Sequence, residues 1–276
     1  MTRIAFIGGG NIGEALISGL VSGEGSGDKP DVVVFDPSAK RLDFLREEYG
    51  ITGADDAATA ASEANFVVIA VKPHIVPSVL EDISSTLDNN DTETVVVSVA
   101  AGVSLATMES GLAAGVPAVR VMPNTPMLVG KGMSAVAGGR FTSEEQVESV
   151  KDLFATVGQS VAVAEKDIDA VTAVSGSGPA YIFMVAEAMT DAGVQLGLTR
   201  PVAQQLAVAT IEGAATMMAQ GDKNPVDLRA NVTSPGGTTA AATRGLEENG
   251  LRTAFFRAMQ ACVDRSVELG RPAGEN

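Results

Sequence analysis

The stretch at residues 3–20, RIAFIGGGNIGEALISGL, constrains this chain more than any other. The β-prone run 4–7 leads into Gly8, Gly10 and Gly13, after which Ile12, Leu16, Gly19 and Leu20 share one helical face. Strand, tight turn and helix therefore follow one another. In such a unit Gly8 permits the sharp turn, Gly10 lets backbone approach a pyrophosphate, and Gly13 lets the helix pack on its strand. With Asn11 and Ile12 between them, these residues would set phosphates at a positive helix N-terminus. The glycines alone also suit a structural turn or another nucleotide-like ligand; their place after a strand and before a helix favours a dinucleotide.

The rest of the chain must supply a sheet for that unit. At 276 residues, 45% of them hydrophobic, there is material for two modest domains. The net charge of −15 argues against a nucleic-acid surface, which needs a basic stripe. Solubility explains the charge, and adaptation to high salt is the sharper alternative. No uninterrupted apolar stretch has the length of a bilayer span, and the N-terminus enters a strand without a charged leader, so a cytoplasmic protein without a membrane partner is expected. Cys262 is the one cysteine and His74 the one histidine. An internal disulfide is excluded, the spacing offers no metal site, and a Ser-His-Asp triad would depend on His74 alone.

Strands and helices alternate through the first half. A loop is expected at 23–31 and a doubly buried strand at 32–35, ending at Asp36. An acid about 20 residues beyond the glycine turn can bind the adenosine ribose hydroxyls and repel a 2′-phosphate. Ser38, Lys40 and Arg41 could instead accommodate that phosphate, so the tilt is slightly toward NAD. Helices are expected at 39–49 and 55–64, and a buried strand at 66–71 is followed at once by Lys72 and Pro73. Lys72 is placed to meet a cofactor or a negative substrate group, or else is a solvated strand-end lysine. A helix at 75–83, a strand at 94–99, a helix at 104–111 with Ser104 as N-cap, and a strand at 119–122 continue the alternation. Residues 123–126, Pro-Asn-Thr-Pro, read as a rigid turn rather than a helix start. A strand at 133–137, a helix at 144–155 and a strand at 160–163 complete a doubly wound α/β sheet.

The character changes near Glu165. Long helical patterns occupy 179–196, 201–219, 239–248 and 252–269, with small residues and methionines on their apolar faces. We read the methionines as packing material. So many apolar helices exceed what a thin domain can bury alone, which predicts subunit pairing through this half. The expected division is 1–164, a dinucleotide-binding Rossmann domain, and 165–276, an all-helical substrate-binding and dimerisation domain.

Six segments then carry a specific resemblance: FIGGGNIGEAL at the start, AVKP at 70–73, SVAAGV at 98–103, RVMPNTP at 120–126, DAVTAVSGSGPAYIF at 169–183 and VTSPGGTTAAATRGLEENGL at 232–251. Over essentially its full length the chain resembles pyrroline-5-carboxylate reductase, the last enzyme of proline synthesis; the final two segments are the most diagnostic. The resemblance implies a helical domain interlocked with a partner's, giving a homodimer or ring of dimers. It implies an active site between the cofactor domain and the SPGGTT segment, with a partner-subunit contribution left open. NADPH or NADH would deliver hydride to the C=N carbon of pyrroline-5-carboxylate. By the same resemblance Thr239 would hydrogen-bond the ring nitrogen as the catalytic side chain. Val71, Lys72, Pro73 and Ala101 would line the nicotinamide side, Asn231 would reach the cofactor, and Glu165 and Thr172 would border the substrate.

This chemistry fits what the sequence lacks. A cyclic imine can carry its own proton on nitrogen, so no histidine or lysine has to protonate a developing alkoxide. Orientation of two reactants supplies much of the rate. The run Pro235-Gly236-Gly237 before a helix offers backbone N–H groups for the substrate carboxylate, assisted by Ser234 and Thr238. A plain Pro-Gly turn with a threonine cap is the alternative. The segment Ser175–Tyr181 is expected to serve close helix approach. A 3-hydroxyacid dehydrogenase would need a lysine in the first long helix of the second domain, yet none lies between Lys166 and Lys223. A nucleotide-binding regulator with a decayed site conflicts with intact Ser234, Gly236, Gly237 and Thr239. A methyltransferase leaves the helical half unexplained.

Overall fold

The computed structural model describes residues 2–22 and 29–270; most of the loop expected at 23–31 lies outside them. In chain order the first elements are β1 (Arg3–Ile7), α1 (Asn11–Ser22), β2 (Asp31–Phe35), α2 (Ala39–Tyr49), β3 (Thr52–Gly53), α3 (Ala57–Ala61), β4 (Phe66–Ile69), α4 (Val76–Asn89), β5 (Val95–Ser98) and α5 (Leu105–Ser110). Then come β6 (Ala118–Met122), β7 (Gly132–Gly138), α6 (Glu144–Ala155), β8 (Gly158–Ala162) and α7 (Ile168–Val171). The helical remainder is α8 (Gly178–Gln195), α9 (Arg200–Gln220), α10 (Pro225–Asn231), α11 (Thr238–Glu248) and α12 (Leu251–Leu269).

Apolar strands buried on both faces need helices on both faces, and the sheet obeys this. Its order is β3-β2-β1-β4-β5-β6-β7-β8. β3 through β6 run parallel, β7 turns antiparallel to β6, and β8 is parallel to β7. The sequence gives no notice of that reversal in strand composition. The nine residues between β6 and β7 are too few for a parallel crossover, which takes a dozen or more. One layer of core joins alternate strand residues Ala5, Ile7, Val67 and Ile69 to Val76, Leu80 and Ile83 of α4. The other joins Ile4, Phe6, Val32 and Val34 to Leu16 of α1, Leu45 of α2 and Phe154 of α6.

Expectations are corrected locally: α4 runs on to Asn89 beyond the expected end at 83, and the two-residue β3 was not expected. Residues 123–126 are not only a turn: a 3-10 helix, Thr125–Val129, begins inside them. Pro126 is tolerated there because a first-turn N–H has no helical partner to lose. α10 was not expected, although Asn224 caps it by accepting from Val226 and Asp227 N–H, with Pro225 at its first position.

The chain divides into two compact units, one running to Ser177 and resuming at Cys262, the other Gly178–Ala261. Within the first, α7 passes into a π-helical turn, Thr172–Gly176. A Cβ on Gly176 would sit 2.7 Å from Met122 Cε, so a larger residue there would displace the end of that flexible side chain. Within the second, α8 packs on α9, and a Cβ on Gly193 would lie 3.0 Å from Ala203 Cβ. Large apolar side chains of both helices nevertheless remain exposed: Phe183 at 67%, Met184 at 68%, Leu206 at 54% and Met217 at 57%. The helical run Glu165–Gln195 is long and apolar enough to cross a membrane by length and composition, whereas the lack of an uninterrupted apolar stretch leads to the expectation of no bilayer span.

Candidate active site

β1 lies between β2 and β4, the point where strand order reverses, and ligands gather at the carboxyl ends of such strands. The residues expected to hold a cofactor, Asn231 apart, lie just beyond those ends. Gly8 N–H donates to Phe35 C=O at 2.8 Å and Ala70 N–H to Ile7 C=O at 2.8 Å, so the glycine turn, Asp36 and Val71 leave three adjacent strands at one level. Ala101, exposed, follows β5. Lys72 and Pro73 are exposed, and Pro73 opens a 3-10 turn with His74.

The shape of the turn follows from the absence of side chains. Gly8 has φ +101°, and a Cβ on it would lie 2.8 Å from Ala70 O. A Cβ on Gly13 would lie 2.5 Å from Gly8 O. Gly10 differs: it is exposed and a Cβ there meets nothing within 4 Å. Gly8 and Gly13 thus close the backbone around an opening that Gly10 keeps clear, beside exposed Asn11 and half-buried Ile12 at the start of α1. That is a cradle suited to a pyrophosphate at a helix N-terminus.

Asp36 is less free than the sequence suggests. Its Oδ2 accepts Gly9 N–H and its Oδ1 accepts Ser38 N–H, each at 2.9 Å. Ser38, the N-cap residue of α2, makes no side-chain cap hydrogen bond. No local pattern discloses the Asp36–Gly9 bond, which spans 27 residues.

The SPGGTT segment is a type II turn feeding a helix. Gly237 N–H donates to Ser234 C=O at 3.0 Å, Pro235 takes the second position, and Gly236 takes the third with φ +70°. Gly237 then serves as N-cap of α11 without any side-chain cap. The first N–H groups of a helix have no intrahelical acceptor. Here those of Thr238, Thr239 and Ala240 sit beside exposed Ser234 and Gly236. Thr239 is half-buried, and its carbonyl, not its hydroxyl, is engaged by Thr243 Oγ1 at 2.9 Å. Between α10 and α11 lies an open depression of about 520 Å³ lined by Arg229, Thr233, Ala240 and Thr243. Asn231, at the end of α10, is exposed.

The two residues expected to border the substrate have structural partners. Glu165 Oε1 accepts Leu105 N–H at 2.6 Å and lies 3.4 Å from Arg120 Nη1. Thr172 Oγ1 donates to Ile168 C=O at 2.8 Å, at the entry to the π turn. Asn124 was missed; its Oδ1 accepts Met133 N–H at 2.8 Å and its Nδ2 donates to Ser175 C=O at 3.0 Å, tying the turn after β6 to the π turn.

The chain is similar to known proteins over nearly its whole length. The family model described as pyrroline-5-carboxylate reductase dimerisation matches residues 165–269. A second, described as NADP oxidoreductase, coenzyme F420-dependent, matches residues 3–102. The pyrroline-5-carboxylate reductase of Corynebacterium melassecola is 57% identical over 271 residues, covering 98% of this chain and 100% of that protein. A solved pyrroline-5-carboxylate reductase from Coxiella burnetii superposes with TM-score 0.92 at 37% identity, covering 98% of this chain and 99% of that one. A Plasmodium falciparum pyrroline carboxylate reductase with NADP bound superposes at 0.84, with 30% identity and 98% of each chain covered.

Proposed function

The chain belongs to the pyrroline-5-carboxylate reductase family, and on that premise we propose how its residues carry out the family's reaction. The enzyme reduces 1-pyrroline-5-carboxylate to L-proline, the last step of proline biosynthesis, with NAD(P)H. When bound, NAD(P)H supplies the hydride.

In our reading Gly8, Gly10, Asn11, Ile12 and Gly13 hold the pyrophosphate, Asp36 and Ser38 face the adenosine ribose, and Val71, Lys72, Pro73, Ala101 and Asn231 complete the cofactor contacts. The N–H groups at the start of α11, with Ser234, Gly236, Gly237 and Thr238, receive the substrate carboxylate. An anion is favoured there by the unpaired donors and the positive helix end together. Thr239 then presents its hydroxyl to the ring nitrogen, and Glu165 and Thr172 border the ring. The nitrogen arrives protonated, the C=N carbon takes the hydride, and the C–N π electrons become the amine lone pair. Thr239 fixes the plane of the ring and so the face that is attacked.

The observation that carries this reading is the uncapped N-terminus of α11 behind a Pro-Gly turn, with Thr239 on its first turn. We take 1–164 as the dinucleotide-binding domain and 165–276 as the helical substrate-binding and dimerisation domain, a functional division supported by the family match at 165–269 and different from the compact units, the first of which runs to Ser177 and resumes at Cys262. The match to a dimerisation model and the exposed apolar residues of α8 and α9 support a homodimer or ring of dimers, and account for the apolar Glu165–Gln195 run without a membrane. We place the enzyme in the cytoplasm, with no nucleic-acid partner. The test is loss of NADH or NADPH absorbance with pyrroline-5-carboxylate, each cofactor in turn, at low and high salt. Imine-dependent oxidation is expected. A folded protein that binds nucleotide but oxidises none would overturn the reading.

A further inference from the structure

Five side chains around the glycine turn form a connected circuit, of which cofactor binding as described above uses Asp36 alone. Asp36 holds the N–H of Gly9. The carbonyl of the same glycine accepts from Arg41 Nε. Arg41 Nη2 pairs with Glu14 Oε2 on α1, and Glu14 Oε1 accepts Tyr49 OH at 3.0 Å. The Arg41 guanidinium also lies over the Phe44 ring, 5.1 Å from its centroid, and Phe44 meets Tyr49 edge-on at 6.4 Å. Gly9 is buried in this setting, where a Cβ would lie 2.6 Å from Leu45 Cδ1.

The circuit bears on which dinucleotide the chain accepts. In this fold the acid after the second strand meets the ribose hydroxyls, and a 2′-phosphate needs a cation instead. Each Asp36 oxygen spends one lone pair on a backbone N–H and keeps another, so it can still accept from a hydroxyl. A phosphate offers only acceptors and like charge. Arg41, the cation beside Gly9, has its charge paired with Glu14 through Nη2, its Nε on the Gly9 carbonyl and its face on Phe44, so it is turned toward α1 although other guanidinium donors remain. Two carboxylates against one guanidinium leave the site net negative. Lys40 is exposed, and a solvated lysine is a weak counterweight. Resting on the reductase reading for the ligand's identity, we propose that the chain prefers NADH over NADPH, and that Glu14 determines this by holding Arg41 away from a 2′-phosphate.

Calorimetric binding of ADP-ribose and 2′-phospho-ADP-ribose to the whole enzyme tests this without turnover. Wild type is expected to bind ADP-ribose about tenfold tighter or more, the equivalent of one good charge-assisted contact. Glu14→Gln keeps an acceptor for Tyr49 and frees Arg41. It should narrow the ratio by about tenfold, chiefly by tightening the phosphorylated probe. Adding Arg41→Ala to Glu14→Gln should abolish that gain, and Tyr49→Phe should leave the ratio within about twofold of wild type. Wild type binding the phosphorylated probe equally or more tightly overturns the proposal, as does an unchanged ratio in a Glu14→Gln protein that melts like wild type. Should Glu14→Gln fail to fold, Asp36→Ser must narrow the ratio, and an unchanged ratio there overturns the proposal. Imine-dependent oxidation with no preference sinks this inference alone. A preference without imine reduction sustains it and sinks the reductase reading. Binding of neither probe sinks both.

Discussion

The N–H of Leu105, at the first position of α5, donates to Oε1 of Glu165 at 2.6 Å. That oxygen is also 3.4 Å from the guanidinium of Arg120, a residue only 8% exposed. Ser104 satisfies another α5 N–H by accepting from Thr107, so Glu165 and Ser104 share the capping of one helix. Glu165→Ala leaves a helix N–H and a buried cation without this partner. We expect a loss of about 1–3 kcal/mol, at the lower end because the Glu165 side chain is one-third exposed. Glu165→Gln restores the acceptor and should recover part of the loss. Urea unfolding reads the difference. If Glu165 serves only the substrate ring, KM rises in both variants and the unfolding midpoint does not move.

Gly10 and Gly13 separate the folding and binding demands on the glycine turn. A methyl group at Gly13 collides with the Gly8 carbonyl at 2.5 Å, and neither backbone can yield freely. Gly13→Ala should destabilise the chain by about 1–3 kcal/mol, as overpacking does. At Gly10 the methyl enters open space, so Gly10→Ala should stay within about 0.5 kcal/mol of wild type. It should nevertheless weaken dinucleotide binding by about tenfold or more, because it occupies the approach to the pyrophosphate. Melting curves and binding calorimetry on the two proteins check this. Normal binding by Gly10→Ala would place the pyrophosphate elsewhere.

The glycine turn was legible in the sequence because sterics permit little else at Gly8 and Gly13. α6 was legible residue for residue, since an apolar face at Val150, Leu153 and Phe154 follows a serine-initiated acidic turn. α10 carried a usable signal, Asn224 before Pro225, that was overlooked. The reversal of β7 was available from the short connection rather than from composition. The π turn at Thr172–Gly176 had no local signature, because Asn124 holds it through Ser175 C=O from 51 residues away. The same applies to Asp36 and Glu165: the sequence shows two carboxylates at plausible places, while their acceptor duties to Gly9 and Leu105 arise only once distant strands are paired.

Tyr49 should titrate late. Burial, followed by the hydrogen bond to Glu14, raises its phenol above the ordinary 10.0. The folded-state value exceeds the unfolded one, so the stability this group contributes is complete below pH 10.0 and is lost as pH rises through the folded value. The chain has two tyrosines and no tryptophan, so ultraviolet absorbance follows tyrosinate directly. We expect Tyr49→Phe to remove a late component of that titration and to flatten the alkaline loss of stability relative to wild type. A titration in which Tyr49→Phe removes only signal near the ordinary value would contradict this.

Thr239→Ala discriminates between a catalytic hydroxyl and a structural cap. α11 has no side-chain cap, and Thr239 accepts Thr243 Oγ1–H through its carbonyl. Removing the hydroxyl should therefore leave the Ser234–Gly237 turn, the helix and the melting temperature close to wild type. Turnover with pyrroline-5-carboxylate should fall by about 10²-fold, the scale of losing a contact that orients the reacting ring, while nucleotide Kd changes by less than about twofold. Thr239→Ser keeps the hydroxyl and should recover most of the rate. Equal losses of turnover and nucleotide binding would mean that the hydroxyl supports the fold, and the reacting imine would then have to be oriented by the N–H groups of α11 alone.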